Sequence, residues 1–187
     1  MLVFGAMTMS NSPAMDAATL DVAALGAVIY PAGFAIDALL SNIAAQLQDE
    51  GKRVAGVVQV TLKTAPGCAD AMLVKDVASG LTTSITQDLG RDSTGCRLDP
   101  RGLAVVAGNL AAALEASPDL LVLNRFGKAE IEGGGLRDLI GEAMARGVKV
   151  LTAVRDAHAA EWAEFHQGIA ADLPPDAETV RRWAAAR

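Results

Sequence analysis

Short apolar runs separated by helix-like segments constrain the fold of this chain more than any other feature. The runs are rich in Val, Leu and Ile and do not alternate strictly with polar residues, which is typical of parallel strands that are covered on both faces. This order predicts an α/β fold of three layers, in which a mostly parallel sheet lies between helices. The four predicted strands span residues 27–30, 54–60, 120–123 and 148–154.

Residues that begin and end helices mark the segments between these strands. Apolar residues recur at helical spacing from Ile36 to Leu47, and Gly51 follows as a stop signal. Asp99-Pro100 is a helix start, with Asp as the N-cap and Pro in the first turn. Three further helices are predicted, one over residues 136–144, one capped by Asp156 and one opened by Asp176.

The segment between Leu62 and Leu98 interrupts the alternation of strand and helix. Polar and apolar residues alternate over 81–89, and Ser79-Gly80 before them suits a two-residue turn. We therefore expect an antiparallel hairpin, in which residues 71–78 pair with residues 81–89, followed by a polar loop over residues 90–98.

Composition limits the number of domains and the classes of function. The chain has 187 residues, 51% of them hydrophobic and 20% charged, which favours one folded domain. We expect residues 1–22 to be a disordered tail, or to follow a start codon assigned too early, and residues 23–187 to form the domain. A net charge of −6 argues against a nucleic-acid partner.

Neither a membrane span nor a secretory signal is recognisable, and the cysteines are few. These features together predict a cytoplasmic protein. No apolar run reaches the roughly 18 residues of a membrane span. The N-terminal stretch has no basic residue before its apolar part, unlike a secretory signal. Cys68 and Cys96 are too few for a zinc site and are expected to stay reduced.

The first candidate site is the loop of residues 31–37, which follows the first strand and enters a helix. Ligands of open α/β sheets bind beyond the carboxyl ends of the strands, where backbone amides and a helix N-terminus can hold an anion. The phosphate-loop pattern G-x-x-x-x-G-K-[ST] is absent, since Ile36 and Asp37 stand where the lysine and hydroxyl residue would be. A structural turn, with Asp37 stabilising the helix start, is the alternative.

The second candidate site follows the strand at residues 120–123. Arg125, Lys128 and Glu130 appear abruptly where the buried strand ends, and Gly127 permits a close backbone approach. A solvated loop with an Arg–Glu or Lys–Glu pair is the alternative.

Two further loops are candidates. Gly133, Gly134 and Gly135 precede a helix and could form either an anion-binding nest or a flexible connector. In the hairpin insertion, Arg97 could favour the thiolate of Cys96. His158 and His166 are assigned neither metal binding nor proton transfer.

Four segments together resemble a bacterial domain family of unknown function, number 2478. They are GAVIYPAGFAIDALL (26–40), GKRVAGVVQ (51–59), GCRLDP (95–100) and DLLVLNRFGKAEIEGGGLR (119–137). The resemblance runs from about Leu25 to Trp183. That family looks like a relative of the P-loop nucleoside-triphosphatases of the cancer-related NTPase type, which implies a P-loop-NTPase-like fold.

The resemblance also implies that the catalytic site is degenerate. The related enzymes read approximately DEIGKME where this chain reads NRFGKAE over residues 124–130. Asn124 and Arg125 replace the two acidic residues that would serve Mg²⁺ and the attacking water, which changes the formal charge there from −2 to +1. Such a site favours the binding of an anion without a metal ion, and it argues against enzymatic activity. No catalytic or metal-binding residue is assigned, and the cofactor is left open.

The family is similar to proteins encoded beside molybdate-transport and molybdenum-cofactor genes. This implies an anionic ligand, which could be a molybdate-type oxyanion, a nucleotide or a pterin cofactor, and a protein partner in molybdenum metabolism. The alternatives are an active nucleotide hydrolase or phosphotransferase, using Asp37 or Glu130 in a non-standard metal site, and an interaction module without a ligand. The predicted ligand-binding residues are Ala32, Gly33, Phe34, Ala35, Asp37, Gln59, Cys96, Arg97, Asn124, Arg125, Gly127, Lys128, Glu130, Gly133, Gly134 and Gly135.

Overall fold

The computed structural model describes residues 23–62, 71–87 and 98–186. The strands are β1 (Leu25–Tyr30), β2 (Val54–Leu62), β3 (Ala71–Asp76), β4 (Thr82–Ser84), β5 (Leu120–Leu123), β6 (Lys149–Arg155) and β7 (Ala170–Leu173). The helices are α1 (Ile36–Asp49), α2 (Pro100–Leu114), α3 (Lys128–Ile131), α4 (Arg137–Ala145), α5 (Ala159–His166) and α6 (Ala177–Ala185). A 3₁₀ turn at Asp156–His158 precedes α5.

The strands form one seven-stranded sheet in the order β4-β3-β2-β5-β6-β1-β7. All pairs from β2 to β7 in that order are parallel, and β3 and β4 add an antiparallel extension beside β2. The mostly parallel sheet and the hairpin are therefore as predicted.

The two faces of the sheet carry separate cores. On one face, α1 and α6 bury an aliphatic stripe and Trp183 against β1, β5 and β6. On the other face, α2, α4 and α5 cover the sheet, and Trp162 packs there with Phe126. These two helical layers confirm the three-layer arrangement.

The hairpin differs from its prediction in the length of its second strand. The turn forms where Ser79-Gly80 predicted it, because the Asp76 Oδ1 atom accepts hydrogen bonds from the amides of Ala78 and Ser79 at 3.1 and 2.7 Å. β4 covers Thr82–Ser84, and beyond it an isolated bridge joins Thr86 to Leu98.

The caps predicted at Asp99 and Asp176 are confirmed, and the cap at Asp156 is wrong. Asp99 accepts a hydrogen bond from the Arg101 amide, and Asp176 accepts one from the Thr179 amide. Asp156 instead accepts from its neighbour, the Ala157 amide, at the start of the 3₁₀ turn, so that α5 begins three residues later.

Several expectations concern segments outside the described residues. These are the tail over residues 1–22, both cysteines and most of the polar loop over residues 90–98. In the part of the chain that the structure describes, no helix has the length and apolar character needed to cross a membrane.

Candidate functional site

The loops that follow β1 and β5 meet at the carboxyl edge of the sheet. The Nη2 atom of Arg125, just after β5, donates to both carboxylate oxygens of Asp37, in the first turn of α1, at 2.8 and 3.0 Å. The two residues are 88 positions apart in the sequence. The ion pair therefore joins the first two predicted site loops.

Arg125 is partly neutralised by this contact. The two side chains are 34% and 32% exposed, so solvent screens the pair only in part. Within the described residues, the Nε atom of Arg125 is buried and has no hydrogen-bond partner. Arg125 thus keeps a buried donor beside the ion pair.

Tyr30, the last residue of β1, provides a second buried donor. It is 3% exposed, and its hydroxyl has no partner of good hydrogen-bonding geometry in the described part of the chain. Burial raises the pKa of Tyr30, while the nearby Arg125 lowers it and the Asp37 carboxylate raises it further. The hydroxyl therefore lies in the field of the ion pair and stays protonated at neutral pH.

The first loop presents backbone amides at the N-terminus of α1. The Phe34 amide donates to the Pro31 carbonyl at 3.3 Å, and Gly33 adopts a φ of +81° in the turn. Among the described residues, the amides of Ala32, Gly33 and Ala35 have no acceptor. They are the donors that a bound anion would require of this loop.

Asn124 continues the pairing between β2 and β5 with its side chain. The backbone register ends at Val57 opposite Leu123. The Oδ1 atom of Asn124 then accepts from the Gln59 amide at 2.9 Å, and its Nδ2 atom donates to the Gln59 Oε1 atom at 3.2 Å. These two bonds fix both side-chain amides, and among the described residues the Nε2 atom of Gln59 has no hydrogen-bond acceptor.

Glu130 is engaged by the backbone of its own loop. It is 7% exposed, and its two oxygens accept hydrogen bonds from the Gly127 and Leu136 amides, each at 3.0 Å. The Gly133 and Gly134 amides donate to the Glu130 and Ala129 carbonyls. Two of the three amides expected for an anion nest are thus used within the loop.

A cavity of about 540 Å³ lies beside this loop, on the face of the sheet that α2 covers. Lys128 stands at its rim with its side chain 77% exposed and only 3.8 Å from Glu132. Six predicted site residues line the cavity: Gln59, Asn124, Arg125, Gly127, Lys128 and Glu130. Six aliphatic residues, here called the aliphatic wall, form much of the rest: Val57, Val74, Ile85, Leu98, Leu103 and Leu136.

The remaining predicted site residues lie elsewhere. Ala32, Gly33, Phe34 and Ala35 stay in the exposed first loop, and Asp37 reaches the cavity only through Arg125. The three glycines do not line the cavity. Cys96 and Arg97 lie outside the described residues.

A second cleft, of about 610 Å³, lies at the opposite edge of the sheet and contains none of the predicted site residues that the structure describes. Charged groups there are engaged in ion pairs such as Arg53 with Asp119 and Arg146 with Glu115. Backbone and side-chain hydrogen bonds from Arg53 lower the pKa of Asp119. In the described ranges, no group of three His, Cys, Asp or Glu side chains could hold a metal ion.

Comparison with known proteins identifies the family. The model of the family described as "Protein of unknown function (DUF2478)" matches residues 25–183. This chain belongs to that family. The resemblance found in its four sequence segments is thereby confirmed.

One curated relative links the family to nucleotide-binding proteins. The chain is 36% identical over 169 residues to the molybdenum import ATP-binding protein ModC 2 of Bradyrhizobium diazoefficiens. The match covers 90% of this chain but 19% of the relative, so the chain spans about a fifth of that protein's length. The relative and the sheet together support the predicted P-loop-NTPase-like fold. No solved structure matches the chain significantly.

Sequence reasoning on this DUF2478 domain missed two parts of the site. Tyr30 is the single tyrosine of the sequence and immediately precedes the first loop, a position that could have drawn attention to it. The aliphatic wall carried no such signal, because its residues come from β2, the hairpin, α2 and the start of α4.

Proposed function

We propose that this domain binds an anionic ligand at the carboxyl edge of its sheet without a bridging metal ion. The contact between Arg125 and Asp37 is the observation on which this rests. In P-loop NTPases, a hydroxyl at the start of the first helix and an acidic residue after a later strand serve Mg²⁺. Here the guanidinium group of Arg125, which follows β5, contacts Asp37 at the start of α1 directly. It therefore supplies the positive charge that Mg²⁺ supplies in those enzymes.

The groups around this pair favour a negative ligand. The Ala32, Gly33 and Ala35 amides, the Arg125 Nε atom and the Tyr30 hydroxyl are all donors without acceptors among the described residues. Lys128 adds an exposed ammonium group that a rotamer change can turn toward the cavity. The Arg125 Nε atom and the Tyr30 hydroxyl are buried, and buried donors are normally satisfied, so an acceptor from a ligand suits these two. The three amides belong to the exposed first loop and are open to a ligand.

The same residues argue against phosphoryl transfer. That reaction needs a positive cradle and a metal ion held together. Ile36 offers no cation, Asn124 is held by Gln59, and both Glu130 oxygens accept backbone hydrogen bonds. A hydrolase with a non-standard metal site would have to use Asp37 after displacing Arg125. We therefore propose that the NTPase frame is retained and its hydrolytic activity lost.

The name of the curated ModC 2 relative suggests which anions should be tested. Its name joins molybdenum import with ATP binding, so a molybdate-type oxyanion, a nucleotide and a pterin cofactor remain within the proposal. A protein partner in molybdenum metabolism and a cytoplasmic location are parts of the same proposal.

A thermal-shift panel tests this function on the purified protein. Molybdate, tungstate, sulfate, ATP and GTP are compared at matched ionic strength, each with Mg²⁺ and with EDTA. A ligand at 100 times its Kd stabilises by about 2.7 kcal/mol, which raises the Tm of a domain of this size by roughly 5–10 °C. We expect such a rise to persist in EDTA. A rise that requires Mg²⁺, or no rise with any anion, contradicts the proposal.

Charge reversal at Arg125 tests the residue itself. Arg125→Glu places two carboxylates against each other, so we expect it to abolish the anion-induced rise in Tm. Arg182→Glu, at an exposed position of α6, makes the same change in net charge and should keep the rise. Circular dichroism checks that the variants fold, and Arg125→Gln replaces Arg125→Glu if the latter does not. Unchanged anion affinity in a folded Arg125 variant would refute the assignment.

A further inference from the structure

In the part of the chain that the structure describes, the charged residues that line the cavity beside Arg125 all belong to one segment, residues 125–132. Arg125 and Lys128 lie there with Glu130 and Glu132, whose carboxylates are engaged by backbone amides and by Lys128. Gln59 lies in β2 just beyond its pairing with β5, and the aliphatic wall and the neutral Gln87 line the side toward the hairpin and α2. The volume of the cavity, about 540 Å³, lies within the range of small-molecule sites. The site can therefore enclose far more than a single charged group.

A bare inorganic oxyanion would use only the charged part of this lining. A charged group loses its hydration when it is buried and must regain hydrogen bonds on every side. Donors at one end can hold the charge, but the aliphatic wall offers none. An apolar body attached to the charge would instead gain free energy by covering that wall.

The side chain of Gln59 indicates one further property of the apolar part of such a ligand. Asn124 occupies the backbone amide and the Oε1 atom of Gln59, and the two Nε2 hydrogens have no acceptor in the described part of the chain. Gln59 lines the cavity between the charged rim and the wall. This amide can bind an acceptor such as a ring nitrogen or a carbonyl oxygen on the body.

We propose that the ligand is a small organic anion, in which a phosphate or carboxylate is attached to a ring that carries a hydrogen-bond acceptor. The anion lies at Arg125 and Lys128, and the ring lies against the aliphatic wall. This inference rests on the proposed function and adds a role for the hairpin, because Val74 and Ile85 supply part of the wall. The hairpin insertion thus determines which anions fit.

Calorimetry with phosphates of increasing size tests the inference. Inorganic phosphate, phenyl phosphate and pyridoxal phosphate are titrated into the intact protein in EDTA. Since covering the aliphatic wall with a phenyl-sized group is favourable, we expect the two ring compounds to bind at least about tenfold more tightly than phosphate. Equal affinities for all three compounds overturn the ring site but leave the anion site standing. Absence of binding by all three overturns both.

A pair of variants on α2 locates the ring. Leu103→Trp fills the cavity and should lower the affinity for phenyl phosphate about tenfold, while leaving the affinity for inorganic phosphate unchanged. Val105→Trp is the control, because Val105 is 56% exposed on the same helix and does not line the cavity. If Leu103→Trp does not fold, Leu103→Phe takes its place. Equal effects of the Leu103 and Val105 variants on phenyl phosphate would overturn the proposal.

Discussion

Glu130 and Gly135 together determine the shape of the loop between β5 and α4. The carboxylate of Glu130 accepts amides from both ends of that loop, at Gly127 and Leu136. Gly135 has a φ of +64°, and a Cβ atom there would stand 2.0 Å from the Glu130 Oε1 atom. Gly135, one of the three glycines that suggested an anion nest, is thus required because the buried carboxylate of Glu130 packs against it.

Two alanine variants separate this packing from backbone strain. Gly135→Ala combines an unfavourable φ with displacement of Glu130, so we expect it to lower the free energy of unfolding by about 2–4 kcal/mol. Gly133→Ala has a similar φ of +87° but meets no atom within 4 Å, and should cost about 1 kcal/mol. Urea unfolding followed by tryptophan fluorescence measures both. Equal losses would contradict the role of Glu130.

The Arg125–Asp37 ion pair marks the limit of sequence reasoning at the scale of single residues. Both residues were candidates, because each follows a predicted strand end. Their pairing depends on the sheet, which brings together two loops 88 residues apart. An Arg–Glu or Lys–Glu pair within the second loop was the sequence alternative. The structure shows Lys128 with Glu132 and gives Arg125 a distant partner instead.

At the scale of elements, the long periodic helices and the apolar strands were predictable, including the four-residue β5, whereas two other four-residue elements were not. α1 and α2 follow directly from their aliphatic stripes and end signals. β7 was missed because its four residues, AADL, lack a β-branched side chain, and its pairing with β1 makes it a strand. α3, another four-residue element, depends on the Glu130 contacts rather than on its own periodicity.

The cap of α6 gives a pH-dependent prediction. The hydrogen bond from the Thr179 amide lowers the pKa of Asp176. A carboxylate with a depressed pKa stabilises the fold above its ordinary pKa, and this stabilisation is lost as pH falls through the lower folded value. Asp176→Ala should therefore destabilise the protein at pH 7 and progressively less in acid. Urea unfolding over a descending pH series measures the difference from the wild type.

Glu178→Ala is the matched control for this prediction. It removes one negative charge from the same first turn of α6, yet it leaves the hydrogen bond between Asp176 and Thr179 in place. We expect a smaller effect at pH 7. A pH-independent loss in Asp176→Ala, or an equal loss in Glu178→Ala, would contradict the role of the cap.

At the scale of the whole molecule, the sheet brings distant loops to one edge. The sequence predicted the α/β order, the hairpin and the two loops after β1 and β5. It could not predict the cavity, because that space depends on β3 and β4 adding to β2 and on α2 packing over them. The site therefore combines two loops that the sequence predicts with an aliphatic wall that depends on how the strands and α2 pack together.

The role of Asp37 distinguishes a metal-independent anion site from a non-standard metal site, because the two sites predict opposite effects on ligand affinity when its charge is removed. In a metal-independent anion site, the Asp37 carboxylate competes with the ligand for Arg125. Asp37→Asn removes this competition and should tighten anion binding several-fold in EDTA. In a non-standard metal site, the same change would remove a ligand of the metal.

The measurement is calorimetric titration of Asp37→Asn with molybdate and with inorganic phosphate, in EDTA and in Mg²⁺. Asp49→Asn is the control, since it makes the same charge change at the exposed far end of α1. For a metal-independent anion site we expect tighter binding in Asp37→Asn alone, unaffected by Mg²⁺. Loss of binding in that variant, or binding that requires Mg²⁺ in the wild type, would contradict this expectation.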